Sequence, residues 1–448
     1  MGILSLVDLI IPPILLIIIF MVAKRRQLRN IETNKSYRFY LWGLLVKILG
    51  GIALCMVYIF YYGGGDTLNY YNDSVIFVNI LFKSPAALLD LILGPNPETW
   101  YVMDSNTGYM IYFGDAHALA VVKVCWIFCL LAFKSFIGMT ILIAWVSYWP
   151  IWRLYQVLLK EFPNLTKEFA IALLFIPSVF FWGSGLLKDT VTFSSVCLFA
   201  SSYGILLTQR KNVILNTFNL LLSSALLIWI KPYIFFALLP GSILWFGGTM
   251  LFKVKNKLIT SMTTPILIIV SLLCGYVMLA LMNNVLGEYA LDKVLDKAVL
   301  TQTDLKSDYY QGSAFDIGNF DATLAGIFAK MPAAINAALF RPYLWETYNI
   351  AMLMSGIENF ILLIFTIYLV IKLKVYNLFR LMFRHHILFF TVFFSIFFSF
   401  SVGLSTSNFG SLVRYKIPAI PFFLVSLFII SETYKDLKRE DKIRLTAE

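Results

Sequence analysis

Charge is scarce in this chain. Asp, Glu, Lys and Arg together make up 14% of its 448 residues, while 60% are hydrophobic and the mean hydropathy is +0.79. A water-soluble domain carries roughly a quarter of its residues as charges, so this balance excludes an ordinary soluble globule. Cysteine is also sparse. Cys55, Cys125, Cys129, Cys197 and Cys274 all lie inside apolar runs, and none has metal-type spacing with histidine. Cys125 and Cys129 stand one helical turn apart and read as packing residues, not a redox pair. The first apolar run has no basic stretch ahead of it and no small-residue cleavage site. It has acidic Asp8 instead, so it reads as a retained span and not a signal peptide. No internal repeat is visible, which counts against a transporter built from inverted repeats.

What the chain does have is long apolar runs over most of its length. Runs of 18 or more such residues are long enough to cross a bilayer as helices. The sequence therefore predicts an all-α, polytopic transmembrane bundle, one integral-membrane domain over residues 1–448. Aromatics are abundant at 17%, with 40 Phe for lipid-facing and packed surfaces and 24 Tyr for the interfaces. The formal net charge of +11 is read as basic cytoplasmic loops, with the lipid bilayer and not nucleic acid as partner.

Basic residues set the expected sidedness. Lys24, Arg25, Arg26 and Arg29 follow the first run and place that loop inside, with the N-terminus outside. The run 40–62 then crosses outward and delivers residues 63–73, Gly-Gly-Gly-Asp-Thr-Leu-Asn-Tyr-Tyr-Asn-Asp, to the external face. A first external loop spans 63–135, with short apolar pieces at 75–82, 85–93 and 118–133 read as interfacial helices. Further crossings are expected at 136–152, 169–182, 190–207, 213–230, 234–251, 259–282, 350–370, 387–404 and 419–430, with a second long external loop at 283–349. The total is about eleven spans of roughly 20 residues, N-terminus outside and C-terminus inside.

On that topology five polar motifs share the external face. They are 63–67 with Asp66, 184–189 with Lys188, Lys231 before Pro232, 341–346 with Arg341, and 408–416 with Arg414 and Lys416. Basic residues on an external border run against the positive-inside trend, and an anionic ligand in the outer leaflet would account for them. Arg offers a planar fork to phosphate oxygens and Lys a point charge. Lys188, Lys231, Arg341, Arg414 and Lys416 are the candidate phosphate ligands; for Lys188 the adjacent Asp189 offers a plain salt bridge instead. A carboxylate at the rim of an apolar slab is costly without a partner or a task, which makes Asp66 the candidate general base. Asp104, Asp115, Asp189 and Glu346 are its rivals. Tyr70, Tyr71, Tyr343 and Trp345 present flat faces suited to sugar rings or to the aromatic belt. Glu358, inside a run, is expected to pair with Arg341 or Arg414, and as a proton carrier it would favour transport.

A multispan chain whose first long external loop opens on an acidic motif resembles the GT-C class of membrane glycosyltransferases. The stretch 414–423, Arg-Tyr-Lys-Ile-Pro-Ala-Ile-Pro-Phe-Phe, is similar to a basic-Tyr-Pro-Pro stretch near the C-terminus of several bacterial polysaccharide glycosyltransferases and polymerases. The resemblance implies a polyprenyl-phosphate- or diphosphate-linked sugar donor, a glycan or lipid-linked acceptor, and surface-polysaccharide assembly at the outer face of a bacterial inner membrane. It makes Asp66 catalytic. The class often pairs two acids in this loop, whereas Thr67 follows Asp66 here, so the need for a divalent metal, Mg or Mn, stays open. A repeat-unit polymerase or ligase of surface polysaccharide fits the same features. A transporter or flippase of a lipid-linked or anionic solute, and a membrane scaffold, are the readings from other classes.

Overall fold

A computed structural model describes residues 5–94, 101–251, 315–318, 323–348, 350–382 and 385–447, with residue 300 and scattered positions between 266 and 277. The described residues are mostly helical, with no strand among them. Seven of their helices are long and apolar enough to cross a membrane, or up to nine if each of two bent pairs is one span. The protein is an all-α integral membrane protein, as its apolar runs predict. The run expected to cross at 259–282 and most of the loop 283–349 lie outside the described residues.

The chain divides into two compact units. The first holds α1 (Leu6–Ile31), α2 (Tyr40–Met56), α3 (Asp66–Lys83), α4 (Pro85–Leu93), α5 (Ala116–Leu131) and most of α6 (Phe136–Glu161). It also takes in residues 179–202 and 218–231. Asp8 ties α1 down. Its carboxylate accepts from the Ser5 backbone at 3.0 Å and, across the unit, from the Ser135 hydroxyl at 2.7 Å. The acid ahead of the first span is therefore an anchor at the start of α6. Between α5 and α6 the chain turns through 114°, using left-handed backbone at Phe133 and Lys134 (φ 53° and 61°). The short apolar pieces at 75–82, 85–93 and 118–133 fall in helices α3, α4 and α5, and α3 starts at Asp66 itself.

Within this unit small residues let backbones meet. A Cβ on Gly50 would stand 2.2 Å from the Phe180 carbonyl oxygen, and one on Gly51 would stand 3.0 Å from that of Ser184. In lipid no hydrophobic force drives helices together, so such close contact does the holding. Near the other end of α2, Tyr40, Tyr148 and Trp152 form an aromatic cluster with ring centroids 4.8–6.2 Å apart.

The second unit holds residues 157–178, 203–217 and 232–448. Its helices include α7 (Thr166–Leu174), which packs on α17 (Ala419–Ala447), and α11 (Pro232–Leu251), which packs on α15 (His386–Ser405). Two short helices, α12 (Leu324–Ala329) and α13 (Met331–Phe340), lead to α14 (Ile350–Met382). On α15 Phe390, Phe394 and Phe398 follow at one-turn spacing with stacked rings 6.1 and 5.6 Å apart. The small α16 (Phe409–Tyr415) precedes α17 at a 61° bend. Four of the described helices belong in part to each unit: α6, α8 (Pro177–Trp182), α9 (Lys188–Gly204) and α10 (Val213–Ile230).

The crossing expected at 169–182 is corrected. It is α7 and α8, broken at Phe175 and Ile176. Pro177 explains the break, because proline lacks an N–H and pushes the residue before it out of helical geometry. Apolar side chains on α1 (Leu9, Ile10, Ile17, Met21), α10 (Ile214, Leu221) and α14 (Ile361, Ile371) stand well exposed. These are lipid-facing surfaces of the membrane protein.

Candidate functional site

In the first unit the expected motifs meet around the start of α3. Three glycines end the run from α2, and the last, Gly65, is the residue before the helix with φ 112°. A side chain there would be strained, and its Cβ would stand 3.0 Å from the Tyr58 ring. Asp66 is thus the first residue of α3, half-buried, at the helix N-terminus. The Tyr112 hydroxyl donates to its Oδ1 at 3.3 Å.

Tyr112 is held in place from the same helix. The Ile111 and Tyr112 backbone N–H groups each donate to Asp73, both at 2.9 Å. Asp73 lies two turns along α3 from Asp66, on the same face. The Tyr70 ring stacks on Tyr112 at 4.7 Å. Burial raises the Asp73 carboxyl above its ordinary range, and the two N–H groups pull it partly back. Burial also raises the Tyr112 phenol, and the Asp66 charge adds to that.

The second half of this cluster comes from the start of α9 (Lys188–Gly204). Lys188, half-buried, reaches the Asp115 carboxylate at 3.4 Å and lies in the electrostatic field of Asp66 and Lys231. Asp189 and Lys231 form a buried ion pair at 2.5 Å, with side chains 2% and 9% exposed. Asp115 also caps α5, accepting from the His117 and Ala118 N–H groups at 2.9 Å. Burial alone would raise its carboxyl, but those hydrogen bonds and Lys188 together hold it below the usual range. Asp104 is bound to Lys83 at 2.7 Å, away from these contacts, and that partner with its loop N–H groups keeps it ionised.

The structure brings 63–67, 184–189 and Lys231 into one unit, and 341–346 and 408–416 into the other. In the second unit the Arg341 guanidinium grips Glu346, with Nε 3.0 and 3.1 Å from its two oxygens. It is flanked by the Phe315 and Phe409 rings at 4.7 and 5.3 Å. Lys416 is completely buried and donates to the Asn359 side chain at 2.7 Å and the Arg341 carbonyl at 3.1 Å. It braces the Arg341 turn and leaves no surface for a ligand, contrary to its expected role at a phosphate. Arg414 is half-buried near the end of α16. Glu358 accepts from the Ser178 backbone at 2.9 Å and hydroxyl at 2.6 Å, with Lys416 in electrostatic reach. The pairing expected with an arginine is replaced by these contacts.

The aromatic candidates separate. Tyr70 is buried against Tyr112, and Tyr71 donates to the Lys134 carbonyl at 2.7 Å while packing on Phe136. Tyr70 has no face left for a sugar, while Tyr71 is half-buried. Tyr343 and Trp345 stack at 4.8 Å, and Trp345 is 72% exposed. Among the described residues no group of three or more His, Cys, Asp or Glu could hold a metal ion. Sequence reasoning missed Tyr112 and the clamp from Asp73. The one available signal was the seven-residue interval between Asp66 and Asp73, which puts two carboxylates on one helix face. No protein-family model, curated protein or solved structure matches the chain.

Proposed function

We propose that the protein is a membrane glycosyltransferase that takes a sugar from a polyprenyl-phosphate or polyprenyl-diphosphate carrier at the external membrane face, in surface-polysaccharide assembly. The observation that carries this reading is Asp66: a half-buried carboxylate opening α3, held by a phenol and faced by the half-buried Lys188. In this reading Asp66 takes the proton of an acceptor hydroxyl. The acceptor oxygen bonds to the sugar's anomeric carbon as the bond from that carbon to phosphate oxygen breaks. The phosphate leaves with the electron pair, and Lys188 stabilises its charge. One well-placed group on developing charge in a dry site contributes about 3–4 kcal/mol. Lys231, sequestered by Asp189, supports the site without touching the donor. Arg341 and Arg414 belong to the second unit, and the chemistry assigned to Asp66 stands without them.

The test is transfer of labelled sugar from polyprenyl-linked donors by membranes carrying the full-length protein. Asp66→Asn should reduce transfer by about 10³-fold while the protein still inserts and elutes as a single species in detergent. Full transfer by Asp66→Asn ends the assignment. Ionisable side chains within spans, the buried Lys47 on α2 and the half-buried Glu358 on α14, favour a second reading, transport of a lipid-linked or anionic solute. That reading expects flux across proteoliposomes with no covalent product.

A further inference from the structure

Lys47 is an ionisable side chain of the first unit that the chemistry above leaves unused although it is buried in a span. It sits near the middle of α2, 4% exposed. Its ammonium donates to the Gly183 carbonyl and lies 3.5 Å from the Ser184 hydroxyl. Among the described residues no carboxylate pairs with it. An ionisable group in such a place is retained for a task more often than for stability.

The partners show what the task is. Gly183 and Ser184 begin the non-helical stretch 183–187 that separates α8 from α9. A chain that leaves helical geometry inside a membrane protein frees backbone carbonyls that need donors. Lys47 supplies one. The Thr190 hydroxyl supplies another, to the Gly185 carbonyl at 2.6 Å. The stretch is also pressed on α2 by the close approach of Gly51 to the Ser184 backbone and of Gly185 to Leu54. Directly after it come Lys188, which meets Asp115, and Asp189, which meets Lys231.

We infer that Lys47 is a positioning residue: its buried ammonium fixes the 183–187 turn, and so fixes where Lys188 and Asp189 enter the candidate site. The inference rests on the proposed function only for the purpose of that placement. The geometry itself is testable without any substrate.

The test is competitive acetylation of the full-length protein in detergent with isotopically labelled acetic anhydride, read lysine by lysine by mass spectrometry. In Lys47→Met, Lys188 should label at least threefold faster than in the wild type, while exposed Lys24 and Lys211 keep their rates. Unchanged Lys188 labelling in a variant that elutes and melts as folded protein overturns the inference. Lys47→Gln keeps an amide donor and should fall between the two. Failure of both variants to fold also overturns it, because Lys47 would then be structural only. Altered labelling in Lys47→Met alongside full transfer by Asp66→Asn and Lys188→Ala leaves the inference standing and removes the glycosyltransferase reading. Unaltered labelling alongside a dead Asp66→Asn does the reverse.

Discussion

Tyr112 and Asp66 share a hydrogen bond at 3.3 Å although 46 residues separate them. The phenol belongs to a loop whose backbone is clamped by Asp73, and the carboxylate opens the helix that carries Asp73. Removing the phenol oxygen should loosen the carboxylate without moving the helix. Tyr112→Phe is expected to cost about 1 kcal/mol of stability and to reduce sugar transfer about tenfold with little change in the donor KM. Thermal melts and initial rates on the same preparation measure both. A change confined to KM would mean that the phenol contacts substrate instead of Asp66.

Asp73 should matter more to folding than its distance from any reacting group suggests. An amide at this position keeps one acceptor oxygen and turns an N–H toward a backbone N–H. Asp73→Asn should destabilise by about 1–3 kcal/mol and release the 111–112 segment. Hydrogen exchange at Ile111 and Tyr112, read against exchange in α5, reports it. Protection equal to wild type would show that the clamp is dispensable.

Acid should weaken the first unit partly through Asp115. Its folded carboxyl titrates below the ordinary value of about 3.9, with burial outweighed by its N–H partners and Lys188. The stability it contributes is therefore present above pH ~4 and lost as pH falls through the lower folded value. Asp73 is shifted the other way, so its contribution is full below its unfolded value and lost as pH rises through the folded one. Asp115→Asn should flatten the acid side of a melting-temperature profile between pH 6 and pH 3, by about the lost slope of one proton. An unflattened profile would assign the acid sensitivity elsewhere.

The Lys231–Asp189 pair should show strong non-additivity. Removing one partner leaves an uncompensated buried charge, at a cost of about 3–5 kcal/mol. Replacing both by apolar residues should cost much less than the sum. Melts of Lys231→Met, Asp189→Leu and the double variant complete the cycle, and additive losses would show that the two charges do not rely on each other.

Arg341 should not tolerate lysine. The guanidinium binds both oxygens of Glu346 and lies against two phenylalanine rings that stack on each other at 4.8 Å, and lysine reproduces neither the fork nor the planar contact. Arg341→Lys should cost about 1–3 kcal/mol, read by thermal melting of the full-length protein.

The helical membrane architecture was legible because apolar length is a local property. So was the start of the site, since glycines followed by an acid mark a turn into a helix. What could not be read was partnership at a distance. Lys231 looked like a ligand for an anion because Asp189, its partner, is 42 residues away in sequence. Lys416 looked like an external cation because nothing local reveals that Asn359 and the Arg341 carbonyl enclose it. Tyr70 and Tyr71 looked like interface aromatics, yet both rings pack inward. Pro177 did carry a signal for the break within 169–182.

The lysine within α2 has a consequence for biosynthesis. Its carbonyl partner lies 136 residues further along the chain, so the ribosome delivers the charge long before the chain that satisfies it. A lysine at mid-helix opposes translocon insertion by roughly 2.5–3.5 kcal/mol, and the surrounding leucine, isoleucine and valine side chains must outweigh it. Until residues 183 and 184 have been made, the lysine of the second hydrophobic segment lacks the partners it has in the folded protein.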